Sequence, residues 1–327
     1  MKKLGYLFFA MTILVSCDGK SSFVQKQSVG AINRVMVVIK SSNWLGAVGD
    51  EIRNSFGKLI IGLPQPEATT TLSQIAPNGF GTMMKASGSL FIVEEHEKES
   101  FSIRYNVYAK PQTVISISAK DDAGLIRLFK KHEKEILATF RQADIQATQN
   151  IFMKSKLDNS QFKTLQNLGV SFTIPSKFRT VEDTGDFMWL RHHLMSGIAK
   201  TGSNNILVYS VPLIDETTVS DRIIAERNVI GEKYIRGSDT LTMHMITEKA
   251  YTPVTFDAKI DDKKAYETRG KWEVKNDFMA GPFLNYTVVD KKHNRLIVFE
   301  GFTYAPSINK RAFVFELEAI AKSMKIK

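Results

Sequence analysis

The residues of this 327-residue chain able to do chemistry are one cysteine, six histidines and scattered carboxylates, and their spacing narrows what that chemistry is. Cys17 stands alone, so no internal disulfide can form, and a lone thiol needs another use. There is no His-Glu-x-x-His and no paired cysteine set, so neither a metal nor a cofactor is expected. His192 and His193 adjoin; on a strand their rings point to opposite faces, which is poor ligand geometry. His132 falls near a helical apolar stripe, His244 sits between Met243 and Met245, and His96 and His293 have polar surroundings. No Gly-x-Ser-x-Gly elbow is present, and Asn78-Gly79-Phe80-Gly81 lacks the glycines and lysine of a phosphate loop. Among the acids, Glu267 and Glu273 share one expected strand and Glu300 ends another. Such a pair hydrolyses glycosides only with its carboxyl groups ~5–9.5 Å apart. Pairing with neighbours such as Arg269 and Lys271 is the stronger expectation. A carboxylate-dependent hydrolase of envelope glycans or peptides is therefore the alternative to a binding function.

Two proline-bearing segments suit binding better. Pro64, Gln65, Pro66 and Glu67 follow Leu63 in a stiff, extended stretch, and a preorganised loop loses little entropy on binding. Met279, Gly281, Pro282 and Phe283 place a thioether and an aromatic ring around a Gly-Pro turn, residue types enriched at interfaces. The competing reading makes both segments turns whose Leu63, Met279 and Phe283 plug the core. Trp44, Trp189 and Trp272 are expected as core anchors.

The N-terminus gives an address. Lys2 and Lys3 precede an apolar run over residues 4–15, the order of a secretory signal. A dozen residues fall short of the roughly 20 that span a bilayer as a helix. The tetrad Leu14-Val15-Ser16-Cys17 resembles the lipobox of bacterial lipoproteins. That resemblance implies a mature chain starting at Cys17, acylated on its sulfur and its amine. Each buried methylene contributes about 0.8 kcal/mol, so several acyl chains anchor stably. The expected partner is thus a membrane, reached through the lipid at Cys17, with the protein at the outer membrane or facing the periplasm.

Composition bounds the rest. A hydrophobic content of 43% with 24% charged residues fits a globular chain and not a disordered one. The net charge is +10, and +8 once residues 1–16 and their two lysines are removed. That charge is spread without a basic stripe, so no nucleic-acid partner is expected.

Periodicity then lays out the elements that must position these residues. A signal at 1–16 and a lipidated tether at 17–33 precede an N-terminal domain at 34–156. It begins with a strand at 34–39 and a helix to about residue 56 whose Leu45, Val48, Ile52 and Phe56 share a face. Strands are expected at 69–75, 89–94, 102–108 and 113–118, then a long helix from Asp121 striped by Leu125, Leu128, Phe129, Ile136 and Phe140. The polar stretch 157–169 reads as a linker. In the domain at 170–327, strands are expected at 170–174, 187–191, 206–211, 241–247 and 265–274, with a helix at 218–235. Segments 284–289 and 295–300 form a hairpin, and Ser307 is expected to cap the last helix. Strands dominate without regular βαβα alternation, which predicts an α+β fold of two mainly antiparallel sheet-plus-helix domains.

Three segments carry a family resemblance: Leu63-Pro64-Gln65-Pro66-Glu67, Phe187-Met188-Trp189-Leu190-Arg191, and a set running from Arg269-Gly270-Lys271-Trp272-Glu273 through 276–283 to Gly301-Phe302-Thr303-Tyr304-Ala305-Pro306. Together they resemble a family of Bacteroidetes lipoproteins grouped as a domain of unknown function, over almost the whole mature chain. Lys271 and Ala280 stand where that pattern has an apolar residue and a glycine. The resemblance implies an envelope lipoprotein and brings no catalytic or binding residue with it. The order of elements after residue 168 is also similar to the photosystem II PsbP and Ran-binding Mog1 type of α+β sandwich. The expected function is a non-enzymatic envelope module that binds or scaffolds an envelope protein or cell-wall component. Replacing Cys17 by serine should remove the acyl acceptor, leaving unprocessed precursor that takes up no labelled palmitate; normal processing and detergent partitioning would refute lipidation.

Overall fold

A computed structural model describes residues 25–194 and 202–327; the leader, Cys17 and the first part of the expected tether lie outside the described residues. The first half opens with β1 (Arg34–Val38), whose valines point into cores on both faces of a sheet. Then come α1 (Ser41–Leu45), α2 (Ala47–Phe56), β2 (Thr71–Ile75), α3 (Thr82–Lys85), β3 (Ser89–Glu95), β4 (Ser100–Tyr105), β5 (Thr113–Ala119) and α4 (Asp122–Met153). The sheet order is β2-β1-β3-β5-β4. β1, β2, β3 and β5 run parallel and only β4 is antiparallel, which corrects the expected mainly antiparallel layout of this half. The helices α1 and α2 supply the crossover that parallel strands require, and burial on both faces explains the near-continuous apolar runs of β1 and β3. α2 and α4 pack Val48, Ile52, Phe56, Phe129 and Phe140 onto Val35, Val37 and Phe91. The break at Gly46 drops Leu45 off the expected helical face into solvent, 80% exposed.

The second half contains α5 (Lys163–Leu168), β6 (Val170–Ser171), β7 (Arg179–Asp183), β8 (Phe187–Leu194), β9 (Gly202–Pro212), α6 (Val219–Tyr234), β10 (Met245–Thr247), β11 (Val254–Ile260), β12 (Lys263–Val274), β13 (Ala280–Asp290), β14 (Arg295–Tyr304), α7 (Arg311–Ala321) and β15 (Lys325–Ile326). Its main sheet has the order β10-β12-β13-β14-β9-β8-β7, with β11 also on β12, and every pairing is antiparallel. The expected hairpin is β13–β14, closed by Asn294 in the left-handed region. Leu317 and Ile320 of α7 pack with Leu190, Ile206, Tyr286 and Phe299 on one face. On the other, Ile224, Ile230 and Tyr234 of α6 pack against Phe187, Tyr209, Trp272 and Phe302. The chain as a whole is α+β. No helix among the described residues is long and apolar enough to cross a membrane.

The halves are not joined by a free linker. Helix α4, 32 residues and roughly 48 Å long, places Leu125 to Phe140 in the first core and Phe152 in the second. Residues 157–169, expected as a linker, are folded: Phe162, Leu165 and Leu168 are buried in the second core. Polar side chains there face outward or bind backbone, as Asn159 does to both Phe172 N–H and C=O. The tether also shortens. Lys110 N–H donates to Lys26 O at 2.9 Å and Val29 N–H to Ala86 O at 2.8 Å, so residues 25–33 lie along the first half.

Among the contacts that fasten the halves are those of Glu318, Glu67 and Gly62. Glu318 of α7, 2% exposed, receives Arg141 of α4 together with Arg269 of β12 (2.6 Å) and Lys322 (3.1 Å). Burial alone would raise its carboxyl; the fields of Arg269, Arg141 and Lys322 outweigh that and hold it well below the usual carboxylate range. Glu67, expected on the surface, is instead buried, and its carboxylate accepts Lys310 N–H at 2.6 Å and Arg311 N–H at 3.1 Å. It caps α7 from the other half of the chain, where Ser307 was expected to do so. Gly62, at φ +87°, lies against Gly270 so closely that a Cβ would sit 2.8 Å from the Gly270 carbonyl oxygen.

The cap makes Glu67→Ala costly, by about 1–2 kcal/mol, whereas Glu97→Ala, at a side chain 82% exposed, should stay within about 0.5 kcal/mol; denaturant midpoints measured side by side check the contrast. Asp144 of α4 accepts Asn33 N–H at 3.1 Å, and its burial pushes the carboxyl up to about 6 against that bond and the field of Arg141. The native state thus keeps a proton that the unfolded state releases near pH 4, so stability falls as pH rises from about 4 to about 6. Asp144→Asn should flatten the melting-temperature profile across that window, and an unchanged profile would contradict the assignment.

Candidate functional site

The same contacts that fasten the halves shape a groove between them, with a volume of about 360 Å³. One wall is Pro64 and Gln65, carried on the loop between Gly62 and Glu67. The opposite wall combines Lys271 of β12, Phe278, Ala280 and Gly281 at the start of β13, and Tyr304, Pro306, Ser307 and Lys310 between β14 and α7, with Glu248 beside them. The two proline-bearing segments, some 215 residues apart in the chain, therefore contribute to one site.

Each expected binding residue can be placed. Pro64, Gln65 and Gly281 line the groove. Pro66 is exposed but outside the lining, and Glu67 is committed to the α7 cap. The stretch from Met279 to Phe283 is not a loop, because β13 begins at Ala280. Pro282 pairs with Lys271, at a point where β13 has not yet begun pairing with β14. A proline is tolerated there because one side of the strand needs no donor. Phe283, 1% exposed, is a core residue with the Arg227 guanidinium 4.0 Å from its ring centre, and Met279 packs half-buried on the same core. Gly281 is fixed by its neighbour: a Cβ would lie 2.0 Å from the Thr303 carbonyl oxygen.

Phe278 stands fully exposed at the groove. Tyr304 is half-buried and packs 6.4 Å from Trp272. Lys271 holds its ammonium 4.6 Å from the centre of the Tyr251 ring, whose hydroxyl accepts Gly62 N–H at 3.0 Å. Lys310 donates to Gln65 Oε1 and to Ile308 O, each at 2.8 Å. Lys271, Phe278, Ala280, Tyr304 and Pro306 fall within the segments that carry the family resemblance. Glu248 and Lys310 gave no sequence signal and Ser307 only that of a helix cap, since only the fold brings them here.

The carboxylates considered for hydrolysis do not converge. Glu300 shares the α6 face with Asn285 and Thr268, directly across β13 and β12, and pairs with buried Arg227 at 3.0 Å. Burial raises its carboxyl, opposed by Arg227 and Asn285. Glu267 lies on the opposite face, bonded to Arg269 and to the Tyr286 hydroxyl, each at 2.6 Å. Glu273 is six residues further along β12, roughly 20 Å away. The sheet separates Glu300 from Glu267 and the length of β12 separates Glu267 from Glu273, so the paired-acid arrangement is corrected. Among the described residues no group of three His, Cys, Asp or Glu side chains could hold a metal ion.

Comparison with known proteins follows the same division of the chain. The family model described as Domain of unknown function (DUF8532) matches residues 28–153, and no curated protein matches in sequence. Among solved structures, LpqN of Mycobacterium tuberculosis, involved in cell envelope biogenesis, is 12% identical over 48% of this chain and 82% of its own, with a TM-score of 0.31. The Saccharomyces cerevisiae Ran-binding protein Mog1p is 7% identical over 48% of this chain and 90% of its own, with a TM-score of 0.33. A Bacteroides thetaiotaomicron protein is 12% identical over 49% of this chain and 46% of its own, at 0.25. These are likenesses of layout and carry no functional argument. The model described as Domain of unknown function (DUF4837) matches residues 156–323, more than half of the chain, and the chain therefore belongs to that family.

Proposed function

We propose that this protein is a lipid-anchored, non-enzymatic envelope module of the Bacteroidetes lipoprotein kind, which holds a segment of an envelope protein or cell-wall component in the groove between its halves. The observation that carries this reading is the convergence of the two proline-bearing segments on one cavity. A cavity of about 360 Å³ lies at the low end of ligand sites, which run from about 300 to 1,000 Å³. It suits a short segment of chain or a small group better than a broad face. Its walls are held by the Glu67 cap, the Gly62–Gly270 approach and the Glu318 cluster, so little ordering is left to be done on binding. Phe278, fully exposed beside it, is the kind of aromatic that anchors an interface.

The lipobox-like tetrad supports the anchor. Between Cys17 and Gln25, the first described residue, eight residues reach at most about 28 Å when fully extended, which keeps the groove close to the membrane that the lipid enters. A photo-crosslinking phenylalanine analogue at position 278, in intact envelopes, should yield a discrete adduct. The same analogue at Met83, exposed on the other half, should yield none, and neither change should alter the melting temperature. Identical adducts from both positions, or none from position 278, would sink the groove as the binding site.

A further inference from the structure

Three basic residues of the described chain are buried: Arg227, Arg269 and Lys310. Arg227 faces Glu300, and Arg269 faces Glu267 and Glu318. Lys310 differs. It is 4% exposed, lines the groove, and gives its ammonium only neutral acceptors, the Gln65 side-chain oxygen and the Ile308 carbonyl. No described carboxylate comes within 4.0 Å of that ammonium; Glu67 beside it spends both oxygens on backbone N–H groups. An ammonium has three donors, so one remains beyond the two acceptors. Taking such a charge from water is costly, and burial pushes the Lys310 ammonium toward losing its proton, opposed by the field of the nearby Glu67 carboxylate.

The surroundings say what would complete it. Lys271 brings a second ammonium to the same groove, likewise without a carboxylate partner, against the single acid Glu248. The remaining surface is ring and pyrrolidine: Pro64, Phe278, Tyr304 and Pro306. We infer that the groove receives the end of an extended peptide, its C-terminal carboxylate seated on Lys310 and its last side chains against those rings. Capture of a C-terminal carboxylate is a recurrent mode of peptide recognition, and the unused donor of Lys310 with the ammonium of Lys271, which has no carboxylate within salt-bridge distance, supplies the complement. This inference rests on the groove being the binding site and adds the chemistry of its occupant.

The probes are N-acetyl-alanyl-alanine and its C-terminal amide, titrated into the intact soluble chain lacking only residues 1–17. A charge-assisted hydrogen bond is roughly twice as strong as a neutral one, so the free acid should bind at least about tenfold more tightly than the amide. Lys310→Met should bring the acid down to the affinity of the amide, while Lys310→Arg should keep the preference. Equal affinities for the two peptides in the unsubstituted protein, or no saturable binding of either up to its solubility, overturn the inference, whatever Lys310→Met does to folding. An adduct at position 278 without a preference for the acid removes the carboxylate and leaves the groove standing. A preference for the acid that Lys310→Met abolishes, without the adduct, keeps the carboxylate seat and removes the groove as the place where an envelope partner is held.

Discussion

Glu318 holds a negative charge where only 2% of the residue meets water, and three cations, from α4, from β12 and from Lys322 at the end of α7, make that tolerable. An isolated carboxylate in that position would take up a proton, and removing one member of such a cluster typically costs about 3–5 kcal/mol. Arg141 can reach Glu318 only if the far part of α4 lies along α7, where its guanidinium also sits 4.5 Å from the Phe315 ring centre. Arg269 reaches it only if α7 crosses the β12 side of the large sheet. The cluster therefore ties the parallel sheet, the long helix and the antiparallel sheet into one arrangement with little slack.

The groove inherits that rigidity. Its first wall would be a loose proline loop were it not for Glu67, whose carboxylate finds the two free N–H groups at the start of α7. Helix N-termini carry unsatisfied donors and a partial positive charge, so the acid and the helix end each resolve a problem for the other. Gln65 is then left facing Lys310, and Pro64 facing the strand ends. A loop that looked like a free recognition element is thus half structural. The division falls within four residues, with Pro64 and Gln65 turned to the cavity and Glu67 turned to the helix.

Local periodicity made much of the architecture legible. The apolar stripe from Leu125 to Phe140 marks α4, and the alternation on either side of Asp290 and Asn294 marks the β13–β14 hairpin. Strand direction was not legible in the first half, because β1 and β3 show the same apolar runs whichever way their neighbours run. β7, with the residues Arg-Thr-Val-Glu-Asp on a sheet edge, presents no buried alternation to find. The linker reading of 157–169 failed because its polar residues outnumber Phe162, Leu165 and Leu168, although those three fill the core. At the groove, the proline segments were visible for their stiffness. Lys310 was not, since its meaning comes from Gln65, 245 residues away.

Helix α7, the last helix of the chain, also bears on the order in which the molecule comes into being. A chain made from its N-terminus presents residues 25–153 long before residues 311–321 exist. Until then Arg141 has no Glu318 and Glu67 has no helix to cap, so the two walls of the cavity lack the contacts that hold them in place. A product truncated before Arg311 would carry every residue that lines the cavity yet lack the helix cap and the ion cluster that fix its walls. The groove thus takes its fixed shape only once residues 311–321 are in place, well after the first sheet can form.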